Sequence, residues 1–168
     1  MSQENVETLR AFWEPWALEA WTVETWRRGE VDLSLFDPDV TYEDMNLPDH
    51  VGETYHGHAG VARAAERWTE PFEWLVVELD EIIDTGDHLF SFHRWRAKAR
   101  HTGIEINERL AYRWTFRDGK VIHFRSVSPE EADAGEACGS RRCRRRMWRL
   151  SSGCSTPTTG ATSQGWRR

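Results

Sequence analysis

The chain has 168 residues, of which 39% are hydrophobic and ten are Trp, enough for one packed domain. It contains no apolar run long enough to span a membrane, and its opening MSQENVETLR lacks the basic-then-apolar order of a secretory leader, which argues against a membrane or secreted protein and for a cytoplasmic one. The net charge of −6 is a sum of unlike parts: residues 1–136 carry all 28 acids and 14 Lys or Arg, 14 − 28 = −14, whereas 137–168 carry eight Arg and no acid, so the acidic body is ill suited to nucleic acid.

Residues 5–28 predict one long helix or two short ones, with Leu9, Phe12, Trp13, Trp16, Ala20 and Val23 as an apolar stripe near a 3.6-residue period. Pro15 predicts a kink or break within it, and Gly29 a stop. EVDLSLF reads as a further short helical turn before the DPD corner, and residues 40–44 as a first strand. A His- and Gly-rich loop follows, then a third helix over HAGVARAAERW that His58 could cap.

From residue 74 the period changes to two. WLVVELDEII is expected to bury Leu75, Val77, Leu79 and Ile83, DTGD to turn, and HLFSFHRWRAKAR to form a long second strand. After an HTG turn, IEINERLAYRWTF alternates most clearly: Ile104, Ile106, Leu110, Tyr112, Trp114 and Phe116 share one face, while Glu105, Asn107, Arg109, Arg113, Thr115 and Arg117 share the other. RDGK permits two registers. A two-residue loop sets His123 opposite Trp114; a three-residue loop with Gly119 left-handed sets Ile122 opposite Trp114 and Phe124 opposite Tyr112, and the better apolar match favours the second. Helices followed by consecutive hairpins predict an α+β fold, a curved antiparallel sheet with helices on its concave face.

Residues 133–168 lack apolar periodicity and are rich in Arg, Ser and Thr, so the domain is set at 1–132 and the remainder is expected to be a disordered tail. Two readings stay open for it: an Arg-rich arm for RNA or anionic surfaces, or the product of a shifted reading frame, which the abrupt change in composition favours. Cys138, Cys143 and Cys154 all lie there at spacings of five and eleven, which is no zinc signature.

RRGEVDLSLFDPDVTYED, GETYHGHAGVARAAERW, EIIDTGDHLFSF and RLAYRWTFRDGKVIHFRSV, in this order, resemble a SnoaL-like protein of the nuclear transport factor 2 and ketosteroid isomerase superfamily over roughly residues 3 to 131. The resemblance implies the cone-shaped fold, a cavity for a small hydrophobic organic ligand, a homodimer through the outer sheet face, and no metal or organic cofactor. It places Asp44 at the position of the isomerase's general base. The Tyr donor position falls near Thr22, and the protonated Asp donor falls at Tyr112, a phenol that can still donate. Steroid isomerisation is thereby disfavoured, while polyketide-cyclase-type chemistry on an enolisable substrate stays compatible. The epoxide hydrolase pattern matches at Tyr42 and Arg94 but lacks an Asp two residues beyond Arg94. A noncatalytic binding or association module with the same cavity is the competing class.

Each candidate has a plainer reading. Asp44 continues the inward parity of Val40 and Tyr42, so it either faces a pocket or sits in solvent past the strand end. Glu108, the lone acid on an apolar face, either pairs with Arg96 across a three-residue loop or is a pocket acid. Arg94, on one parity with Phe90 and Phe92, either aids Asp44 or a developing oxyanion inside the cavity, or lies at the rim with its head in water. Tyr42, Phe90, Phe92, Trp114 and Phe124 are expected to line the cavity; His93 and His123 are expected outside. His50, His56 and His58 lack acids or Cys at ligand spacing and make a weak metal set.

Overall fold

The computed structural model describes residues 3–18, 20–28, 31–45 and 52–132. The expectations for Gly29, His50 and the 133–168 tail therefore lie outside the described residues. The elements run α1 (Gln3–Leu18), α2 (Val23–Arg27), β1 (Phe36–Asp44), β2 (Glu53–His56), α3 (Gly57–Thr69), β3 (Phe72–Asp84), β4 (Leu89–Ala99), β5 (Glu105–Arg117) and β6 (Lys120–Val127). The strands form one curved sheet in the order β2-β1-β6-β5-β4-β3, unclosed, with β2 and β3 as its edges. All neighbours are antiparallel except β1 and β6, which are parallel, so the expected α+β architecture is present with one parallel pair in its sheet.

Helix α1 buries Leu9, Trp13 and Trp16, the i, i+4, i+7 positions that a helix lying on a sheet must cover. Pro15 lies within it and does not break it; the helix ends at Leu18, and Ala20 is exposed in the connector. So close to the end, the missing N–H removes one bond of the last turns, while the buried stripe keeps the helix seated. Trp21 pairs with Leu75 of β3 through N–H···O bonds of 2.7 and 3.0 Å and stacks on Trp16 at 4.0 Å, which ties the connector to the sheet. Residues 31–35 are not helical. The Asp32 carboxylate takes the Ser34 N–H at 2.8 Å and its hydroxyl at 2.9 Å, a local turn that competes with helix.

β1 begins at Phe36, four residues earlier than the composition suggested. Pro38 is tolerated because β2 pairs only with residues 41–44 and the ladder to β6 is interrupted between Phe36 and Thr41. Helix α3 starts directly at Gly57, whose φ of +66° suits glycine. His58 does not cap it: its Nε2 lies 3.0 Å from the Phe36 carbonyl, tying helix to strand. No helix among the described residues is long and apolar enough to cross a membrane.

Two hairpins differ from expectation, and both differences move side chains. The β4–β5 loop holds four residues, Arg100 to Gly103, closed by Ala99 N–H to Ile104 O at 2.8 Å, rather than the three of HTG. One residue of register inverts a strand's faces. Arg96 consequently faces Asn107, Glu108 faces Trp95, and Phe90, Phe92 and Arg94 lie on the outer face while Leu89, Ser91, His93 and Trp95 face the helices. The Asp118-Gly119 turn is a two-residue one, both residues at positive φ (51° and 75°), with Arg117 opposite Lys120. A bulge between Thr115 and Phe116 absorbs Ile122 and sets Phe124, not Ile122 or His123, opposite Trp114. In β3 a bulge between Leu79 and Glu81 likewise turns Ile82 inward, so Leu79 is only half-buried and Ile83 packs outside with Phe90 and Phe92.

Candidate functional site

Two neighbouring cross-strand rows on the inner face make up the candidate site. The first is aromatic: Tyr55, Tyr42, Phe124 and Trp114 stand side by side on β2, β1, β6 and β5, with ring centroids 5.9, 4.3 and 4.9 Å apart and nearly parallel planes. One step along the strands lies a polar row, Glu53, Asp44, Ser126, Tyr112 and Ser91, fixed by the pairings Asp44↔Glu53, Tyr112↔Ser126 and Ser91↔Tyr112. Strand alternation puts both rows on the helix-covered side, which explains how polar side chains come to be buried.

Asp44 is 3% exposed at the end of β1. The Ser126 hydroxyl accepts the Met45 N–H at 2.7 Å and lies 3.4 Å from Asp44 Oδ1, so it ties the carboxylate to the strand end. Burial first, and then the Asp44 charge, hold the Tyr112 phenol far above its ordinary range; burial, Tyr112 and Asp44 do the same for Tyr42. Both phenols therefore keep their protons and can donate. Glu53, opposite Asp44, is drawn aside by Arg67, whose Nη1 lies 2.6 Å from its Oε2, and by the Tyr55 hydroxyl.

A cavity of about 60 Å³ lies between the aromatic row, α1 and α3, bounded by Phe12, Trp13, Trp16, Phe36, Tyr42, Val61, Ala64, Trp68, Tyr112, Trp114 and Phe124. Of the residues expected to line a cavity, Tyr42, Trp114 and Phe124 bound this one, as does Tyr112, and Asp44 sits next to it along the polar row rather than on its wall. The other candidates fall elsewhere. Phe90 and Phe92 form an outer cluster with Ala111 and Val127, and the Arg109 guanidinium lies 4.6 Å from the Phe92 ring. Arg94 is exposed beside Asp80 at 4.0 Å. Glu108 is exposed, and its expected partner Arg96 pairs instead with Glu78 at 2.7 Å. Thr22 lies between α1 and α2 with its N–H on Thr25 Oγ1, away from the cavity. His123 does lie outside, 3.0 Å from Glu43. Among the described residues no three His, Cys, Asp or Glu side chains converge as a metal-ligand set.

The inner face also carries a group that the sequence reading set outside. His93 is fully buried, its ring 4.3 Å from Trp13 and 5.5 Å from Tyr112, with Nε2 2.7 Å from Ser91 Oγ. Burial alone lowers its pKa from 6.5 to about 3, so it is neutral. Between pH 6.5 and about 3 the unfolded chain holds a proton that the folded chain refuses; stability is therefore complete above 6.5 and falls as pH falls, by up to about 1.4 kcal/mol per unit. Urea unfolding from pH 7 to 4 should show wild type losing stability faster than His93→Leu by roughly this slope. Equal slopes would mean that the imidazole is not held in an apolar site. Had the hairpin register been read correctly, the parity of Ser91 and His93 would have exposed this group; Ser126 shows the same signal, a polar residue on the parity of Phe124.

Comparison with known proteins agrees with this architecture. The SnoaL-like domain model matches residues 9–124. An NTF2-like protein of unknown function from Burkholderia pseudomallei superposes with a TM-score of 0.55 at 24% identity, over 76% of this chain and 91% of that one. A protein from Jannaschia provisionally named a SnoaL-like polyketide cyclase gives 0.58 at 17% identity, over 83% and 96%. A Catenulispora acidiphila protein with a ketosteroid isomerase-like fold, solved with trimethylamine, gives 0.56 at 17%, over 76% and 86%. At such identities the structures speak for the fold alone. No curated protein matches the sequence.

Proposed function

The chain belongs to the SnoaL-like domain family, and from that premise we propose that it is a small-molecule pocket protein in which Asp44 takes a proton from an enolisable organic substrate while Tyr112 donates to the developing oxyanion. One observation carries this reading: a carboxylate 3% exposed, held by Ser126, in a single row with a protonated phenol beside an apolar cavity. Solved structures with a similar fold include one named for a SnoaL-like polyketide cyclase and one for a ketosteroid isomerase-like fold, which fits acid–base chemistry at a carbonyl. The reaction requires only proton transfer, hence no cofactor. Arg94, on the outer face, has no part in it. We also propose the cytoplasm as its location.

Deuterium wash-in tests it. A panel of cyclic aromatic ketones in heavy water should exchange the hydrogens next to the carbonyl faster with wild type than with Asp44→Asn. A second reading, noncatalytic ligand binding, is favoured by the absence of Asp44 from the cavity wall. Binding without exchange would support that second reading.

We also propose a homodimer through the outer sheet face. Phe90, Phe92 and Val127 lie there among Arg94, Arg109, Arg113 and Arg125 of the central strands β4, β5 and β6, flanked by Glu78 and Glu81 of β3 on one side and Glu43 of β1 on the other, so a two-fold partner could set opposite charges against each other. Analytical ultracentrifugation should give twice the chain mass, weakening with salt; a monomer at tens of micromolar would overturn it.

A further inference from the structure

A second cleft, of about 390 Å³, lies along the flank of α1. Thr8, Ala11, Phe12 and Pro15 recur at i, i+3, i+4 and i+7 and present one helix face to it, while residues 31–35 and the β5–β6 turn make the other side. Phe12 and Trp16 also bound the smaller cavity, so they form the partition between the two. The volume falls within the range of about 300–1,000 Å³ typical of small-molecule pockets. Neither Asp44 nor Tyr112 borders it. Its chemistry is divided. Trp16, Trp21 and Leu35, all buried, make an apolar floor, and Phe12, Pro15 and Val31 extend it up the walls. Asp32, Ser34 and Lys120 form a connected polar set on one side. The Ser34 N–H and hydroxyl donate to the two oxygens of Asp32 at 2.8 and 2.9 Å, and the Lys120 ammonium donates to the Ser34 carbonyl. The two bonds from Ser34 hold the Asp32 carboxyl below its ordinary range, so it is ionised at neutral pH.

Both charges keep bonding capacity. The carboxylate oxygens have further lone pairs, the ammonium has two more N–H groups, and among the described residues the two are held by Ser34 rather than paired with each other. Opposite charges fixed around one residue, above an apolar floor, complement a molecule with both charges at one end and an apolar body at the other. We infer that this cleft binds an α-amino acid with a large apolar side chain, its ammonium on Asp32, its carboxylate on Lys120 and its side chain over Trp16 and Leu35. A simple amine would sit beside Lys120 and a simple acid beside Asp32, each meeting a like charge; the zwitterion satisfies both. Pro15 adds to the opposite wall. Proline has no N–H, so the carbonyl of Ala11, on the same wall, has lost its helical donor and is a further acceptor for the ammonium. The inference is independent of the acid–base site and does not fall with it.

The test compares L-phenylalanine with phenethylamine, which lacks the carboxylate, and 3-phenylpropanoate, which lacks the ammonium. On the full chain at pH 7 and low salt, calorimetry should show L-phenylalanine binding about fivefold tighter than either. In amide NMR it should move Ser34 and Gly119, which border the cleft, and leave Ser126 of the polar row in place. Lys120→Met should weaken L-phenylalanine and 3-phenylpropanoate about fivefold and leave phenethylamine within about twofold. Asp32→Asn, which keeps an oxygen for the Ser34 N–H, should weaken L-phenylalanine and phenethylamine by a similar factor and spare 3-phenylpropanoate. Equal binding of all three compounds, shifts centred on Ser126, or no binding of L-phenylalanine at millimolar concentration overturns the inference. So does a response to either variant that ignores which charge the compound carries. Asp32 and Lys120 are exposed, so neither variant disturbs the core, and the wild-type comparison needs no variant.

Discussion

Truncating Trp114 to alanine should lower the unfolding free energy by about 4 kcal/mol. The side chain is 1% exposed, stacks on Phe124 at 4.9 Å, meets Trp13 edge-on at 6.2 Å and donates its N–H to Ser91. Alanine removes the largest fully buried side chain, opens a void that merges with the existing cavity of about 60 Å³, and leaves Ser91 without its indole donor. Because a domain of this kind has a total stability of about 5–15 kcal/mol, the alanine variant is close to the limit of folding at all. Trp114→Phe keeps a stacking ring and loses chiefly the N–H bond and some volume, so about 1–3 kcal/mol is expected. Guanidinium unfolding followed by near-ultraviolet dichroism measures both. A loss below about 1 kcal/mol for alanine would contradict the packing of the aromatic row between sheet and helices.

The order of the elements could be read from the sequence because each is written in a period that no neighbour shares. The even positions of β5 point inward from Leu110 to Phe116, as expected, and the stripe of α1 at Leu9, Trp13 and Trp16 faces the sheet. The faces of β4 could not be read. Its residues are apolar or bulky on both parities, with Phe90 and Phe92 on one and Leu89, Trp95 and Ala97 on the other, so periodicity could not assign them, and a hairpin one residue longer than HTG decided the matter. Phe90, Phe92, Arg94 and Glu108 were misplaced by that single residue, and His93 and Ser91 were hidden by it. The β5–β6 turn shows the converse. Apolar matching set Ile122 opposite Trp114 by way of a longer loop, but a two-residue turn followed by a bulge at Ile122 brought Phe124 there instead. Bulges leave no mark on composition. Asp44 was legible because β1 is short of alternatives: Val40, Tyr42 and Asp44 share a parity, and all three are buried.

Asp44→Asn carries the greatest consequence for function. Asparagine keeps the shape of the side chain and its contact with Ser126 but cannot take a proton, so kcat/KM for hydrogen exchange should fall by about 10²–10⁴ with ligand affinity changed little. The same substitution has a readout independent of any substrate. The Asp44 charge is one of the causes that hold Tyr112 and Tyr42 above their ordinary range, second to burial for Tyr112 and third for Tyr42. Removing it should bring both phenols partway down, with burial maintaining the rest of the shift, and this is visible in the alkaline tyrosinate absorbance. Three outcomes separate the possibilities. Loss of exchange together with the lowered tyrosine titration assigns Asp44 as the base beside Tyr112. Lowered titration with no exchange in either protein keeps the geometry and assigns the cavity to binding alone. Unchanged titration would mean that Asp44 and Tyr112 do not share a field, and the acid–base pair at the centre of the proposed function would be lost with it.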